Sequence, residues 1–395
     1  MQKMKLPEYL CIAMNLLEKN GYEAYVVGGA VRDFLLDKEP KDYDLTTNAT
    51  PEETQQVFAD YHCILNGLKH GTVSVVILKQ TVEITTYRSE SVYLDHRHPS
   101  EVKFEKELKK DVLRRDFTIN ALAYNPSVGI VDYVGGREDL KNGVIRAIGE
   151  ADMRFEEDAL RILRALRFSA TLSFEIEEKT EASMFRKMHL LEEIAQERKT
   201  DEFSKLLVQR DAILILKRYH PIFSYVLDEH MNEAFLPLDL FEEGEELLLR
   251  LFLLMQICGV EEKGKLARKM KYPSRFVKKL SSLSKGFALD FSNKWNLINA
   301  LNDYGLESVK LACKAQRTLN RIGEKEKEKR IAEAEYICEK EVYSLKQLDI
   351  RGSDLEGVPK EKIGQILNQL LYCVTIENLE NRKEVLISKA KELLN

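Results

Sequence analysis

The chain has 395 residues and a mass of 45.7 kDa, which corresponds to about two to four domains. Charged residues make up 32% of it and hydrophobic residues 44%, a balance that excludes a disordered or collagen-like chain. The formal net charge of -5 argues against indiscriminate binding to polyanions, although a net value can hide a local basic surface.

The N-terminal segment predicts an amphipathic helix rather than a signal peptide, because Leu10, Ala13, Met14 and Leu17 recur at helical spacing with polar residues between them. The longest apolar stretch, residues 247–260, is interrupted by an arginine and a glutamine and is shorter than the roughly eighteen residues of a membrane span. The six cysteines lie far apart without a C-x-x-C pair, a distribution typical of reduced thiols. We therefore expect a cytoplasmic protein that does not contact membranes.

Short β-branched runs alternate with helical segments between about residues 25 and 133. The predicted strands lie in the runs YVVGG, KDYDLTT, TVSVVIL, TVEITTYR and GIVDYVGG. After about residue 148 this pattern fades, and apolar residues recur at intervals of three and four. The predicted fold class is α+β, with a small mixed sheet in an N-terminal head and an all-helical remainder. The predicted domains are a head at 1–150, a neck at 151–210, a body at 211–330 and a tail at 331–395.

Two patterns near the N-terminus point to phosphate chemistry. Asp42 and Asp44, two positions apart on a predicted strand, project from the same side, and their mutual repulsion favours a shared divalent cation. Mg²⁺ suits this pair because it prefers carboxylates together with phosphate oxygens and water. Gly28 and Gly29 leave backbone N–H groups open to a phosphate at a helix start, and Arg32 follows about one turn later. Taken alone, each pattern has a more ordinary interpretation. An aspartate pair is common on surface strands, and two glycines more often form a turn.

A third carboxylate, Glu83, lies in the run VEITT. This run could pair with the strand that carries the aspartates and complete a metal site. From spacing alone, an exposed charge on an edge strand is an equally good interpretation.

Residues 157–168, with the sequence EDALRILRALRF, predict a helix that carries Asp158, Arg161 and Arg164 on one face. An aspartate that accepts beside an arginine that donates matches the hydrogen-bonding edges of cytosine and adenine, whereas guanine and uracil reverse that order. The alternative interpretation is an ordinary salt bridge on a solvated helix.

The segment between residues 263 and 285 contains nine Lys or Arg residues and no Asp or Glu, with Tyr272 and Phe276 between them. Such a surface can follow an RNA backbone through its phosphates, and a plain solvated helix is the competing interpretation. The candidate RNA-binding residues are Lys265, Arg268, Lys269, Lys271, Arg275, Lys278 and Lys279.

Several motifs occur in the order of a known family. GGAVRD at 28–33 with KDYDLTT at 41–47 resembles the nucleotidyltransferase signature of the polymerase β superfamily, specifically of class II tRNA nucleotidyltransferases (CCA-adding enzymes) and bacterial poly(A) polymerases. RRDFTINA at 114–121 resembles the family's second motif, DYVGG at 132–136 its third, and ERKTDEFSKLL at 197–207 its fifth, a neck helix that supports the base-reading helix. The resemblance covers about the first 207 residues, and the short layout resembles that of Gram-positive bacteria.

The resemblance implies a template-independent enzyme that builds or repairs the 3′-terminal CCA of tRNA from CTP and ATP and releases pyrophosphate. It implies two Mg²⁺ ions held by Asp42 and Asp44, with Glu83 as a further catalytic carboxylate. Asp158 and Arg161 are implied to read the base edge. The implied nucleotide-binding residues are Gly28, Gly29, Arg32, Arg115, Asp116, Asn120, Asp158, Arg161, Arg164 and Arg167.

Two further segments bear on the choice within the family. Residues 87–99 resemble a flexible loop that CCA-adding and A-adding enzymes carry and CC-adding enzymes lack, which disfavours CC-only activity. Residues 348–355 resemble the family's tail domain more faintly. The resemblance implies that the body and tail contact the acceptor end and T arm of tRNA, and that they recognise the phosphates and the shape of the RNA. The sequence leaves open whether the protein forms a homodimer.

Three alternative functions also stay open. An A-adding enzyme or a poly(A) polymerase would share every catalytic residue named. A small-molecule nucleotidyltransferase needs neither the base-reading helix nor a long helical body, so both features argue against it. A catalytically dead RNA-binding protein would be expected to lack Asp42, Asp44 or Arg32, and all three are present.

Overall fold

The structure is a computed structural model that describes residues 3–90, 102–227, 236–355 and 358–394. The chain divides into two compact units, Met1–Glu233 and Ala234–Asn395. The flexible-loop motif at 87–99 lies outside the described residues from position 91 onward. Across the described ranges, no helix has both the length and the apolar character needed to cross a membrane.

The first unit contains a seven-stranded mixed sheet and two two-stranded sheets. The strands are β1 Ala24–Val27, β2 Asp44–Thr47, β3 His62–Ile64, β4 Thr72–Ile77, β5 Gln80–Thr86, β6 Arg88–Glu90, β7 Val102–Phe104, β8 Ala123–Asn125, β9 Gly129–Val131, β10 Val144–Ile145 and β11 Glu175–Ile176. The order in the large sheet is β3-β4-β5-β2-β1-β8-β9. Only β2 and β5 pair in parallel within it, and the other neighbours are antiparallel.

Helices pack against this sheet in the first unit, and the described part of the second unit is mostly helical. Those of the first unit are α1 Glu8–Lys19, α2 Gly29–Leu35, α3 Pro51–Val57, α4 Leu108–Leu113, α5 Gly136–Asn142, α6 Ala151–Glu157, α7 Leu160–Leu172, α8 Glu178–Lys187, α9 Gln196–Leu207, α10 Ala212–Arg218 and α11 His220–Leu227. Those of the second unit are α12 Leu247–Ile257, α13 Lys263–Lys269, α14 Ser274–Ala288, α15 Lys294–Tyr304, α16 Leu306–Thr318, α17 Glu324–Lys340, α18 Lys360–Thr375 and α19 Lys383–Glu392.

The α+β prediction is confirmed, with a mixed sheet in the head and a mostly helical remainder. Helix α1 buries Leu10, Ala13, Met14 and Leu17, the residues that predicted it. Each of the five predicted runs contains a strand. The sequence pattern did not predict short strands such as β3 and β8, because three residues are too few to show the alternation of apolar and polar side chains. The division into four domains stays a prediction.

The alternation of side chains on β2, β4 and β5 gives the sheet one buried and one open face. Leu45, Val73 and Ile84 are fully buried on one side. Asp44 and Glu83 are exposed on the other side and pair directly across the parallel β2–β5 ladder. Since β5 lies between β4 and β2, Glu83 belongs to an interior strand and the edge-strand interpretation is wrong.

Candidate active site

A cavity of about 720 Å³ opens over the exposed face of the sheet. Residues from five separate sequence motifs line it. The predicted site residues that line it are Gly28, Gly29, Arg32, Asp42, Asp44, Glu83, Arg115, Asp116, Asn120, Asp158, Arg161 and Arg164.

The acidic part of the cavity is built at the start of β2. This strand begins at Asp44, so Asp42 precedes it instead of sharing it, contrary to the prediction of two aspartates on one strand. Both side chains nevertheless line the cavity together with Glu83. Desolvation by the surrounding protein, followed by the negative charges of Glu83 and Asp42, raises the pKa of Asp44. The site thus concentrates negative charge where a cation would relieve it.

A glycine turn between β1 and α2 forms the wall beside these carboxylates. Gly28 has a φ of +72°, a conformation that residues with a Cβ rarely adopt. A Cβ at Gly28 would lie 3.6 Å from Nη1 of Arg115, and one at Gly29 would lie 3.7 Å from Nη2 of Arg32. The two glycines therefore keep open the space in front of two guanidinium groups, where a phosphate would be held by charge-assisted hydrogen bonds.

A hydrogen-bonded network links the glycine turn to helix α7. Arg32 donates from Nη1 to Oδ1 of Asn120 over 2.8 Å, and Asn120 donates from Nδ2 to Asp116 over 3.4 Å. Arg164 donates from Nε and Nη2 to Oδ2 of Asp116 over 2.8 and 2.6 Å. Burial opposes ionisation of Asp116, but the Arg164 guanidinium outweighs it and the pKa of Asp116 is lowered. The network thus fixes the arginine side chains at the cavity wall.

Asp116→Asn is expected to reduce the free energy of unfolding by about 3 kcal/mol at neutral pH, because Arg164 loses its buried counter-charge. The lowered pKa means that the carboxylate stabilises the fold above its unfolded pKa, near 3.9, and that this contribution is lost as the pH falls through the folded value. The difference between variant and wild type should therefore shrink below about pH 4. Urea unfolding across this pH range measures it.

Asp201→Asn is the matched control, because Asp201 pairs with Lys205 on an exposed part of α9. Its effect should stay below about 1 kcal/mol. An equal effect of both substitutions would contradict the structural importance of the Asp116 network.

Phe168 lies beneath three guanidinium groups. The Cζ atoms of Arg32, Arg164 and Arg167 lie 5.3, 5.4 and 4.1 Å from the centre of its ring. Arg167 does not line the cavity, and it donates from Nε to Oε2 of Glu202 over 2.5 Å. Arg167 therefore lies beside the cavity wall and not in it. This position does not support the prediction that Arg167 binds the nucleotide directly.

The predicted helix at 157–168 is interrupted at Asp158. Helix α6 ends at Glu157, Asp158 is extended with φ −149° and ψ 100°, and α7 begins at Leu160. The Asp158 carboxylate accepts from the backbone N–H of Leu160 over 3.1 Å, which gives the first N–H of the new helix a partner. The idea that Asp158 and Arg161 share one helical face is therefore wrong, although both residues line the cavity.

Asp158 and Arg161 each have a different ionic partner. Arg198 of α9 donates to Asp158 through Nη1 over 3.3 Å and Nη2 over 2.7 Å. Arg161 is paired with Glu157 over 2.6 Å and donates from Nη2 to the carbonyl of Arg114 over 3.1 Å. Arg198 is not among the predicted site residues. Spacing could not find it, because it follows Asp158 by 40 positions.

The second glycine of DYVGG serves packing, whereas Gly135 adopts a left-handed backbone with a φ of +78°. A Cβ at Gly136 would lie 2.2 Å from the carbonyl oxygen of Thr118, so only glycine fits there. Asp132 accepts from the backbone N–H groups of Gly136 and Arg137 over 3.0 and 2.9 Å, which holds the start of α5. This third motif therefore locks α5 against the segment that carries Asp116 and Asn120.

Within the described ranges, no three His, Cys, Asp or Glu side chains converge closely enough to hold a metal by themselves. Mg²⁺ does not need such a cage, since one or two carboxylates commonly bind it together with water and substrate phosphates. Asp42 and Asp44, beside the space in front of Arg32 and Arg115, fit an ion that arrives with a nucleotide.

The predicted RNA-binding residues lie in the second unit, on α13, on α14 and on the turn between them. The side chains of Lys265, Arg268, Lys269, Lys271, Arg275, Lys278 and Lys279 are all exposed. Tyr272 and Phe276 stack with ring centres 4.5 Å apart. Lys263 differs from them, because it is buried and donates to the carbonyl of Val260. We call the seven exposed residues the basic face.

Family models match three stretches of the chain. The poly A polymerase head domain matches residues 24–146, the RNA and SrmB-binding site of polymerase A matches 173–220, and tRNA nucleotidyltransferase domain 2 matches 240–390. A CCA-adding enzyme of Lactococcus lactis subsp. lactis is 35% identical over the whole of both chains. The chain belongs to the CCA-adding enzyme family. The family resemblance of the motifs is thereby confirmed.

Solved structures of a CCA-adding enzyme and of a tRNA nucleotidyltransferase share the fold. The Bacillus stearothermophilus CCA-adding enzyme in complex with CTP has a TM-score of 0.85 and 29% identity, covering 99% of this chain and 98% of that one. A tRNA nucleotidyltransferase complexed with a primer tRNA and an incoming ATP analog has a TM-score of 0.62 and 27% identity, covering 83% and 98%. The match to the first structure extends over both compact units.

Proposed function

We propose that this enzyme of the CCA-adding family adds and repairs the 3′-terminal CCA of tRNA, with CTP and ATP as substrates and pyrophosphate as product. The observation that carries the proposal is the composition of one cavity. It places paired carboxylates, a glycine turn with two guanidinium groups, and the Asp158 and Arg161 side chains around a common space. Relatives of similar length and fold are CCA-adding enzymes, and one of them was solved with CTP.

In the proposed reaction, the residues of the glycine turn hold the triphosphate. Gly28 and Gly29 admit it, and Arg32 and Arg115 donate hydrogen bonds to its oxygens. Arg32 is held in place for this by Asp33 and by Asn120, which itself donates to Asp116. Divalent ions such as Mg²⁺, bound by Asp42 and Asp44 in a two-metal arrangement, would supply activation of the acceptor hydroxyl and neutralisation of the leaving pyrophosphate.

Base selection is assigned to Asp158 and Arg161. Asp158 accepts from the exocyclic amine that cytosine and adenine share, and Arg161 donates to the neighbouring ring acceptor. Glu157 and Arg198, the present ionic partners of these two side chains, orient the reading edge. Uracil and guanine would leave the same groups facing like partners, at a cost of about 1–3 kcal/mol for each buried group left unpaired.

An A-adding enzyme or a poly(A) polymerase is the second candidate, because the proposed catalytic residues would be shared. Labelled CTP and ATP, separately and together, are offered to tRNA transcripts that end at the discriminator base, at C and at CC, with Mg²⁺. Addition of CC and then A supports the proposal. Addition of A to the CC end alone, or of long A tails, selects the alternatives. No incorporation at any end would refute the shared mechanism.

The basic face is proposed to hold the tRNA backbone. Replacing Lys278 and Lys279 together by alanine should weaken tRNA binding for all sequences alike and lower the slope of log affinity against log salt by about 1–2. Filter binding at several salt concentrations measures this. Lys340→Ala is the control, since Lys340 is exposed on α17 of the same unit. An unchanged slope in the double variant would remove the basic face from the tRNA contact.

A further inference from the structure

The order of strands separates two chemical environments on either side of the carboxylates. The glycine turn follows β1, Asp44 begins β2, and β5 and then β4 lie on the far side of β2. The proposed function, on which this inference rests, places the leaving pyrophosphate at the glycine turn. In phosphoryl transfer the attacking and leaving oxygens are roughly in line. The attacking hydroxyl of the acceptor should therefore approach from the β5–β4 side.

Three threonines occupy that side of the cavity, and we call them the threonine face: Thr46, Thr72 and Thr85. Thr46 pairs with Thr85 across the β2–β5 ladder, and Thr85 pairs with Thr72 across β4–β5. All three line the cavity, in the row next to the Asp44–Glu83 pair. Alternation along each strand places them on the same open face as those carboxylates.

The hydroxyls of this face keep unused hydrogen-bonding capacity. Thr46 donates to the carbonyl of Thr85 over 3.0 Å, whereas the Thr72 and Thr85 hydroxyls lie 2.9 Å from each other. One proton serves the bond between Thr72 and Thr85, so the pair retains one O–H donor and free lone pairs. A neighbouring ligand hydroxyl, which both donates and accepts, matches that combination.

We propose that the threonine face binds the terminal ribose of the RNA acceptor, with Thr72 and Thr85 hydrogen-bonded to its 2′-hydroxyl. This contact holds the adjacent 3′-hydroxyl over the carboxylates and lets the enzyme distinguish an RNA end from a DNA end. It adds acceptor-positioning residues to a site whose other proposed roles are binding of the metal ions and of the incoming nucleotide. The competing interpretation is a threonine pair that only stabilises the sheet, as such cross-strand pairs do.

The test uses the full chain with Thr72→Val and Thr85→Val combined. Valine keeps the shape and β-branching, and removing both partners avoids leaving one hydroxyl without its bond. Kinetics are measured with CTP and two acceptors, a CCA-lacking tRNA and the same tRNA ending in a 2′-deoxynucleotide. Thr81→Val is the matched control, because Thr81 lies on the same face of β5 and does not line the cavity.

The wild type and Thr81→Val should prefer the ribose end by about tenfold in kcat/KM, as expected for one hydrogen bond. The double variant should lose this preference through a higher KM for the ribose-ended acceptor, with the KM for CTP unchanged. A double variant that keeps the preference refutes the inference, whatever its stability. A wild type that incorporates no nucleotide refutes the proposed function itself, so the two failures are distinguishable.

Discussion

Asp44→Asn is expected to reduce the rate of nucleotide incorporation by about a thousandfold or more. Carboxylates that bind catalytic cations contribute several kcal/mol to the stabilisation of the transition state, and each 1.36 kcal/mol corresponds to a factor of ten in rate. An amide of the same shape cannot supply the negative charge. Single-turnover incorporation of CTP at saturating substrate measures the effect on chemistry apart from binding.

The same substitution should stabilise the protein in the absence of divalent ions. The pKa of Asp44 is raised by desolvation and by Glu83 and Asp42, so ionisation costs free energy in the folded state. Asn removes this cost at neutral pH, and the Tm should therefore rise relative to wild type. The gain should shrink as the pH falls through the raised pKa and vanish below the unfolded pKa, near 3.9, because the wild-type carboxyl is then neutral in both states.

Added Mg²⁺ with a non-hydrolysable nucleotide should raise the Tm of the wild type more than that of Asp44→Asn, since binding to the folded state shifts apparent stability. Asp60→Asn provides the control, because Asp60 is exposed in the same unit and does not line the cavity. Full activity of Asp44→Asn would refute the assignment of this carboxylate to the reaction.

Asp158→Ala is expected to lower kcat/KM for CTP and ATP by about a hundredfold and to raise the low values for UTP and GTP. Loss of the acceptor removes one hydrogen bond to the exocyclic amine and removes the repulsion that excludes the wrong bases. Competition between labelled CTP and UTP on one tRNA transcript measures the selectivity directly.

Two variants separate this role from a structural one. Asp152→Ala changes an aspartate of α6 that pairs with Arg186 and does not line the cavity, so selectivity should be retained. Arg198→Gln removes the bidentate partner of Asp158 but leaves its carboxylate, so the preference for CTP and ATP should persist. Unchanged base selectivity in Asp158→Ala, with instability equal to that of Arg198→Gln, would refute base reading by Asp158.

Local sequence was enough to predict several parts of the head. The helix at Glu8–Lys19 follows from apolar spacing, and the strands at Thr72–Ile77 and Gln80–Thr86 follow from β-branched alternation. Alternation also predicts which strand residues share a face, but it does not identify a neighbouring strand. The pairing of Asp44 with Glu83 was thus one of two open interpretations until the parallel β2–β5 ladder decided it.

The break at Asp158 shows the limit of periodicity. Residues 157–168 keep a helical pattern throughout, yet Asp158 is extended, with its carboxylate bonded to the first N–H of α7 and to Arg198 of a distant helix. Arg167 likewise turns to Glu202 and away from the cavity. The family, the α+β class and the kinds of chemical group in the site follow from the amino-acid sequence alone. Which of these groups meet follows from the tertiary fold, because the contacts of the site join residues about 35 to 88 positions apart and depend on packing that no local pattern encodes.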